Sequence, residues 1–177
     1  MGLIVFEQMT AADLTGPAEQ GLRIANPPTL LTSIDKATAA DLPCVLRLYA
    51  ENEITPGDVL QLSDAQAIWK QFSTYPNYKL YVARIAGEIV GTFALLIMDN
   101  LAHRGAKSGV VEDVIVGAKF QDRGIGKQMM RFALTLCRDA GCYKLSLSSN
   151  LKRTSAHAFY ESLGFVKHGY SFVAELK

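Results

Sequence analysis

The sequence predicts an α/β fold in which helices flank a sheet of mixed strand directions. Three observations point that way. The readable elements run strand, two helices, three strands, helix, strand, helix, strands, an order that builds one layered sheet rather than a bundle or a sandwich. An apolar, β-branched run from Val110 to Val116 passes through a short polar loop into an amphipathic helix with Ile125, Met129, Phe132, Ala133, Leu136 and Ala140 on one face. Two strand-like runs meet at Ala86, Gly87 and Glu88, a tight hairpin turn. A chain of 177 residues is long enough for one well-buried core and short for two domains.

In chain order, residues 1–30 read as an N-terminal extension and residues 31–177 as the domain. Leu3 to Phe6 suits a short strand. Thr10 to Leu14 repeats identically as Thr38 to Leu42, and each copy looks like a helix start, a Thr with an Asp three residues on. The first copy is an edge extension, a homodimer contact or a chance similarity. Residues 30–37 read as a strand. Thr38 caps a helix over 39–52, with Pro43 tolerated near its first turn, and Pro56 and Gly57 break it. A second helix follows over 58–73, recapped at Ser63 with Gln66. Strands cover 78–86 and 88–98, and 103–109 is a loop. After the central strand and helix come a strand over 143–149, a helix over 153–163, and a closing pair of strands beyond Gly164.

Bulk properties exclude several function classes. The formal charge of +1 conceals an asymmetry: residues 119–177 hold 10 Lys/Arg against 4 Asp/Glu, and residues 1–118 hold 8 against 13. A basic half suits a polyanionic cofactor, and an acidic half suits a cationic acceptor or plain solvated charge. No basic patch is interleaved with aromatics, which argues against nucleic acid. No apolar run approaches the ~20 residues that span a bilayer. Glu7 follows the first apolar residues at once, without a basic leader, so a secretory signal is not expected. Cys44, Cys137 and Cys142 form neither an even set nor a CxxC pair, which predicts reduced thiols, no metal site and a cytoplasmic location.

The junction between central strand and helix carries the chemistry. Gln121, Asp122, Arg123, Gly124, Ile125, Gly126 and Lys127 place two glycines where a helix begins, although glycine is a poor helix former. One reading is a turn that needs glycine for its dihedrals. The other is an anion site: first-turn N–H groups lack intrahelical partners, carry the positive end of the dipole, and accept a phosphate closely where no Cβ intervenes. A Walker loop fails, since positions 121 and 128 are Gln121 and Gln128. A dinucleotide fingerprint fails at Met129. The pattern that fits is Q/R-x-x-G-x-G/A, met by Gln121, Gly124 and Gly126. This resembles the coenzyme-A-binding motif of the GNAT superfamily of N-acetyltransferases. Residues 34–41 look like that family's opening, and residues 156–165 resemble its closing helix.

The resemblance covers roughly residues 31–177 and implies a mostly antiparallel twisted sheet of about six to seven strands with about four helices. It implies acetyl-CoA as cosubstrate, bound by Val114, Ile115, Val116, Gln121, Asp122, Arg123, Gly124, Ile125, Gly126, Lys127, Asn150, Lys152, Phe159 and Tyr160. The backbone of Val114 to Val116 would pair with an extended pantetheine and offer donors to an oxyanion. Asn150 would hydrogen-bond the same arm, or else simply shape a turn. Lys152 and Arg153 would meet phosphates or solvent.

Two carboxylates sit inside the central strand. Simple alternation puts Glu112 with Val110, Val114 and Val116, and Asp113 with Val111 and Ile115. Such a pair is costly unless paired, hydrated or facing a cleft. Each could be a structural partner, a substrate-binding group, or a base whose shielding raises its pKa. The resemblance favours Glu112 as the base. On its helix Tyr160 suits the core as well as catalysis. The resemblance makes it the acid that protonates a departing thiolate, which a phenol of pKa near ~10 can do. His157, one turn earlier, reads as a surface residue. The resemblance thus implies direct acetyl transfer to a primary amine in a ternary complex, the acceptor being a small molecule rather than a protein. The sequences around Val111 to Val114 and Gly141 to Lys144 look like glucosamine-6-phosphate acetyltransferases, and residues 152–157 are more like generic bacterial members of the family, including aminoalkylphosphonate acetyltransferases. The alternative is a non-catalytic acyl-CoA sensor of the same fold.

Overall fold

The computed structural model describes residues 33–52 and 60–176. The expectations for residues 1–30, including the first copy of the repeat and its dimer contact, lie outside the described residues. Five strands form one sheet in the order β1-β2-β3-β4-β5: β1 (Ser33–Lys36), β2 (Tyr78–Ile85), β3 (Glu88–Met98), β4 (Lys107–Val116) and β5 (Cys142–Ser146). Neighbours are antiparallel except β4 and β5, which run parallel. Four helices flank the sheet: α1 (Leu42–Glu51), α2 (Leu62–Phe72), α3 (Ile125–Asp139) and α4 (Thr154–Ser162).

Local chemistry sets these boundaries. The β2–β3 hairpin closes with Ala86 and Gly87 both at positive φ, as a two-residue turn between right-twisted strands demands. Thr38 and Asp41 cap each other: the Thr38 N–H and hydroxyl both donate to the Asp41 carboxylate, at 2.8 and 3.0 Å. The expected helix over 39–52 is divided there. Residues 39–41 form a 3-10 turn and α1 starts at Leu42, because Pro43 has no N–H to donate back to the Ala39 carbonyl. The expected recap at Ser63 does not form. The Gln61 carbonyl already accepts from Asp64 and Ala65, so the first turn of α2 is closed before Ser63 could act.

The strand count is lower than expected, five rather than six to seven among the described residues. The missing pair is the one predicted beyond Gly164. Residues 165–176 join no ladder, and Tyr170 and Phe172 are about 90% exposed. Alternating side chains make a segment strand-like, but a strand exists only where a partner supplies its hydrogen bonds. β5 ends at Ser146, short of the predicted 149.

Two apolar layers sandwich the sheet. On one side Tyr81, Phe93, Leu95 and Val111 pack with Ile125, Met129, Met130, Ala133 and Cys137 of α3. On the other, Leu80, Val82, Ile89, Ala94 and Ile115 pack with Val45 and Leu48 of α1. Burial on both faces is what makes the middle strands nearly continuous in apolar residues.

Candidate active site

The central strand breaks the simple alternation that its sequence suggests. Ala94 pairs with Glu112 and Thr92 with Ile115, so Asp113 and Val114 together oppose Phe93. This is a β-bulge, and Asp113 takes a left-handed φ of 51° to make it. The extra residue shifts the phase of the strand. Val114 and Val116 join Val111 on the α3 side, while Ile115 turns to the α1 side. Glu112 therefore does not share a face with Val114 and Val116; it opposes Ala94 on the α1 side.

Both carboxylates gain tyrosine neighbours there. The Tyr78 hydroxyl donates to Glu112 Oε2 at 3.0 Å. Burial, that hydrogen bond and the charges of Glu112 and Asp113 push the Tyr78 phenol up to about 12. Burial and the charge of Asp113 likewise raise Tyr49 of α1. Asp113 itself is raised by desolvation and by Glu112 beside it. The sequence reading missed both tyrosines as site residues. Tyr78 shares a strand face with Leu80 and Val82, a placement that strand alternation makes legible.

β4 and β5 stay paired only from Lys107–Cys142 to Val110–Ser146. Beyond that rung β4 continues to Val116, held by β3 on one edge and, among the described residues, joined by no strand on the other. The backbone of Val114, Ile115 and Val116 lies on this bare stretch. Ile115 and Ile125 are buried, so both offer a ligand main chain only. At the end of β4, Gln121 turns back to donate to the Val116 carbonyl at 3.2 Å and to Asn52 at 3.3 Å. Asp122 and Gly124 adopt left-handed φ values of 58° and 77°, which swing the chain into the first turn of α3. The N–H groups of that turn have no acceptor within the helix. Arg123 lies over the Phe120 ring, and Lys127 is exposed beside the turn.

Across α3, Phe159 of α4 reaches Gly126. Tyr160 packs edge-on to Phe159 and Phe165 within the layer that holds Val114 and Val116. Burial raises its phenol pKa and the charge of Arg153 opposes that rise, leaving it above the ordinary value. Asn150 shapes a turn through its side chain, accepting from the Lys152 N–H at 2.9 Å, and its carbonyl contacts His157 Nε2 at 2.9 Å. Lys152 and Arg153 are exposed. The bare edge of β4 thus runs between a face carrying Tyr160 and a face carrying Glu112, and it leads to the α3 N-terminus. Among the described residues no His, Cys, Asp or Glu group is arranged to hold a metal, and no helix is long and apolar enough to cross a membrane.

Residues 45–165 match the acetyltransferase (GNAT) family. The chain is 34% identical over 90 residues to glucosamine 6-phosphate N-acetyltransferase of Trypanosoma brucei brucei, covering 51% of this chain and 59% of that protein. It is 31% identical over 101 residues to aminoalkylphosphonate N-acetyltransferase of Salmonella typhimurium, covering 57% and 65%. The chain spans little more than half the length of these curated relatives. A solved structure from Agrobacterium tumefaciens str. C58 superposes with a TM-score of 0.77 at 30% identity, over 81% of this chain and 99% of that one. Arabidopsis thaliana glucosamine-6-phosphate N-acetyltransferase shares the fold, with a TM-score of 0.70 at 21% identity over 82% and 98%. A bulged β4 parting from β5 beside a glycine-opened helix, together with a match over more than half the chain, makes this protein a member of the GNAT acetyltransferase family.

Proposed function

We propose that the protein transfers an acetyl group from acetyl-CoA to the primary amine of a small molecule, directly between the two bound substrates. The observation that carries this reading is the edge of β4 beyond Val110, joined by no strand among the described residues, which ends at the first turn of α3, where no side chain of the cap residue takes an N–H. An extended pantetheine can add to that edge as a strand would, with its diphosphate against the first turn from Gly124 to Lys127. Arg123 and Lys152 add positive charge, and Asn150 and Phe159 border the arm. Acetyl-CoA supplies the activated acyl group.

The chain's own residues then manage two protons. Glu112, directly or through a water, takes a proton from the acceptor ammonium, while Asp113 helps to hold the cation. The free amine nitrogen forms a bond to the carbonyl carbon, the carbon–sulfur bond breaks, and the acylated nitrogen releases its second proton to solvent as the neutral amide forms. Tyr160, which its burial keeps protonated, gives its phenolic proton to the departing thiolate and regains one from solvent. Amide donors on the bare edge face the carbonyl oxygen as it gains charge. A relay through Cys137 lacks a nucleophile, because burial and the neighbouring Cys142 push its thiol up to about 12. The three free cysteines suit a reducing, cytoplasmic compartment.

Titration calorimetry with acetyl-CoA, followed by a thiol-release assay over an amine panel, tests the reading. Saturable binding and amine-dependent thiol release are expected. Absence of acetyl-CoA binding would overturn it, and binding without release from any amine would leave a sensor in its place.

A further inference from the structure

We propose that Asn52 is a positioning residue for the coenzyme: acting through Gln121, it holds in place the turn that presents the first N–H groups of α3. The inference rests on the acetyltransferase reading and concerns the cofactor side of the same site. Few bonds hold that turn. At one end the Phe120 N–H donates to the Gly117 carbonyl at 2.8 Å, and at the other the Gln128 N–H donates to the Gly124 carbonyl at 3.1 Å. Between them, Gln121, Asp122 and Arg123 make no main-chain hydrogen bond among the described residues. The Arg123 guanidinium rests over Phe120, a close neighbour in sequence. The hydrogen bonds that fix this segment therefore come from the side-chain amide of Gln121. Its Nε2 donates to the Val116 carbonyl at 3.2 Å and to Asn52 Oδ1 at 3.3 Å. Of these two acceptors, only Asn52 belongs to an element outside the β4–α3 unit, since it caps the end of α1.

Asn52 is itself well fixed. Its Nδ2 donates to the Leu48 carbonyl at 2.9 Å, satisfying one of the carbonyls left open at a helix end. That bond orients the amide so that Oδ1, the acceptor, faces Gln121. The Val116 carbonyl orients the Gln121 amide in the same way, with its donor toward Asn52. Leu48 is buried, and the missing Cβ of Gly117 lets it close on the end of β4: an added carbon would stand 3.1 Å from Leu48 Cδ2. α1 is thus anchored where β4 ends, and Asn52 passes that anchorage to the turn. The N–H groups beyond the turn serve a diphosphate only if they are aimed at it. A turn held in that aim before the ligand arrives leaves a smaller ordering cost to binding. The Gln121–Asn52 contact is exposed, where water can replace it, so its main effect falls on the ligand and not on the fold.

Titration calorimetry with acetyl-CoA is run on the full chain and on its Asn52→Ala, Gln121→Ala and double variants. Asn52→Ala should weaken binding by about three- to tenfold, the worth of one hydrogen bond. The double variant should bind no more weakly than Gln121→Ala, because Asn52 acts only through that amide. Urea midpoints are read alongside. Asn52→Ala also removes the donor to Leu48 and should lower the midpoint, but a loss of stability alone leaves the affinity of the folded protein where it was. Unchanged affinity in Asn52→Ala, or losses that add in the double variant, would overturn the inference and leave the acetyltransferase reading intact. Gln121→Ala truncates an exposed side chain, so its fold is not at stake, and unchanged affinity in that variant would overturn the inference as well. A wild-type chain that fails to bind acetyl-CoA overturns the acetyltransferase reading itself, and the inference with it.

Discussion

Phe159 fills the space that a Cβ on Gly126 would need: the added carbon would stand 3.2 Å from Phe159 Cζ and 3.7 Å from Val116 Cγ2. Gly124, two residues earlier, holds a left-handed φ of 77° at the helix N-cap. The two glycines of this turn thus answer different demands. One bends the chain, and the other lets α4 close against the first turn of α3 beside the end of β4. Gly126→Ala should force Phe159 aside at an overpacking cost of about 1 kcal/mol, which offsets the gain of about 1 kcal/mol that alanine has over glycine in a helix. Phe159→Leu in the same chain should recover most of that overpacking cost. Urea unfolding reads the stability, and calorimetry with acetyl-CoA should show a loss in Gly126→Ala and its rescue in the double variant. A double variant that binds as weakly as Gly126→Ala alone would mean that the missing Cβ serves the ligand and not Phe159.

Tyr160 is held between Phe159 and Phe165, and its desolvation favours the neutral phenol. A raised pKa keeps the donor loaded throughout the neutral range. Tyr160→Phe should lower kcat by about 100-fold, the lower range for a lost general acid, with acetyl-CoA affinity nearly unchanged. The wild-type rate should also show no alkaline limb from this group below pH ~10, the ordinary phenol value. Stopped-flow thiol release across pH checks both points. Wild-type turnover by the phenylalanine variant would remove the phenol from the mechanism.

Sequence spacing located the strand, the turn and the helix from Val110 to Ala140 because each is encoded by neighbours in the chain. Alternation marks the strand, glycine marks the turn, and a helical period marks α3. The bulge was not legible. Nothing local distinguishes Asp113 from an ordinary strand residue, and only the register of β3, in which Phe93 faces two residues, reveals the phase change. The pairing of Tyr78 with Glu112 was hidden for the same reason, since 34 positions separate them. The closing strands were overread. Residues 165–176 carry a strand pattern, but the ladder they would extend ends with the Val110–Ser146 rung.

The hydrogen bond from Tyr78 to Glu112 couples the carboxylate to β2, and its effect can be separated from that of the carboxylate alone. Glu112→Gln should reduce kcat/KM by about 100-fold if the carboxylate takes the amine proton. Tyr78→Phe should give a smaller reduction through loss of the hydroxyl that fixes the carboxylate. The double variant should be no worse than Glu112→Gln, because residues acting through one contact are not additive. Steady-state kinetics on the three variants closes the cycle. Additive losses would show that Tyr78 acts on the substrate independently of Glu112.

Asp41 links the start of α1 to β2 and makes stability depend on pH. Burial disfavours its charge, but the Arg84 guanidinium at 2.6 Å, the Thr38 N–H and hydroxyl, and the Arg84 charge outweigh that burial and hold its pKa below the ordinary value. A carboxylate with a depressed folded-state pKa contributes stability that is fully present above its unfolded pKa near ~3.9 and is lost as pH falls through the folded value. Asp41→Asn should therefore cost about 2 kcal/mol at pH 7, typical of lost hydrogen bonds to a charged group. Below pH ~3 the difference from wild type should shrink, because the wild-type carboxyl is then taking up its proton. Urea midpoints at several pH values test this. A deficit that stayed constant from neutral to strongly acid pH would assign the loss to packing at Asp41 and not to its charge.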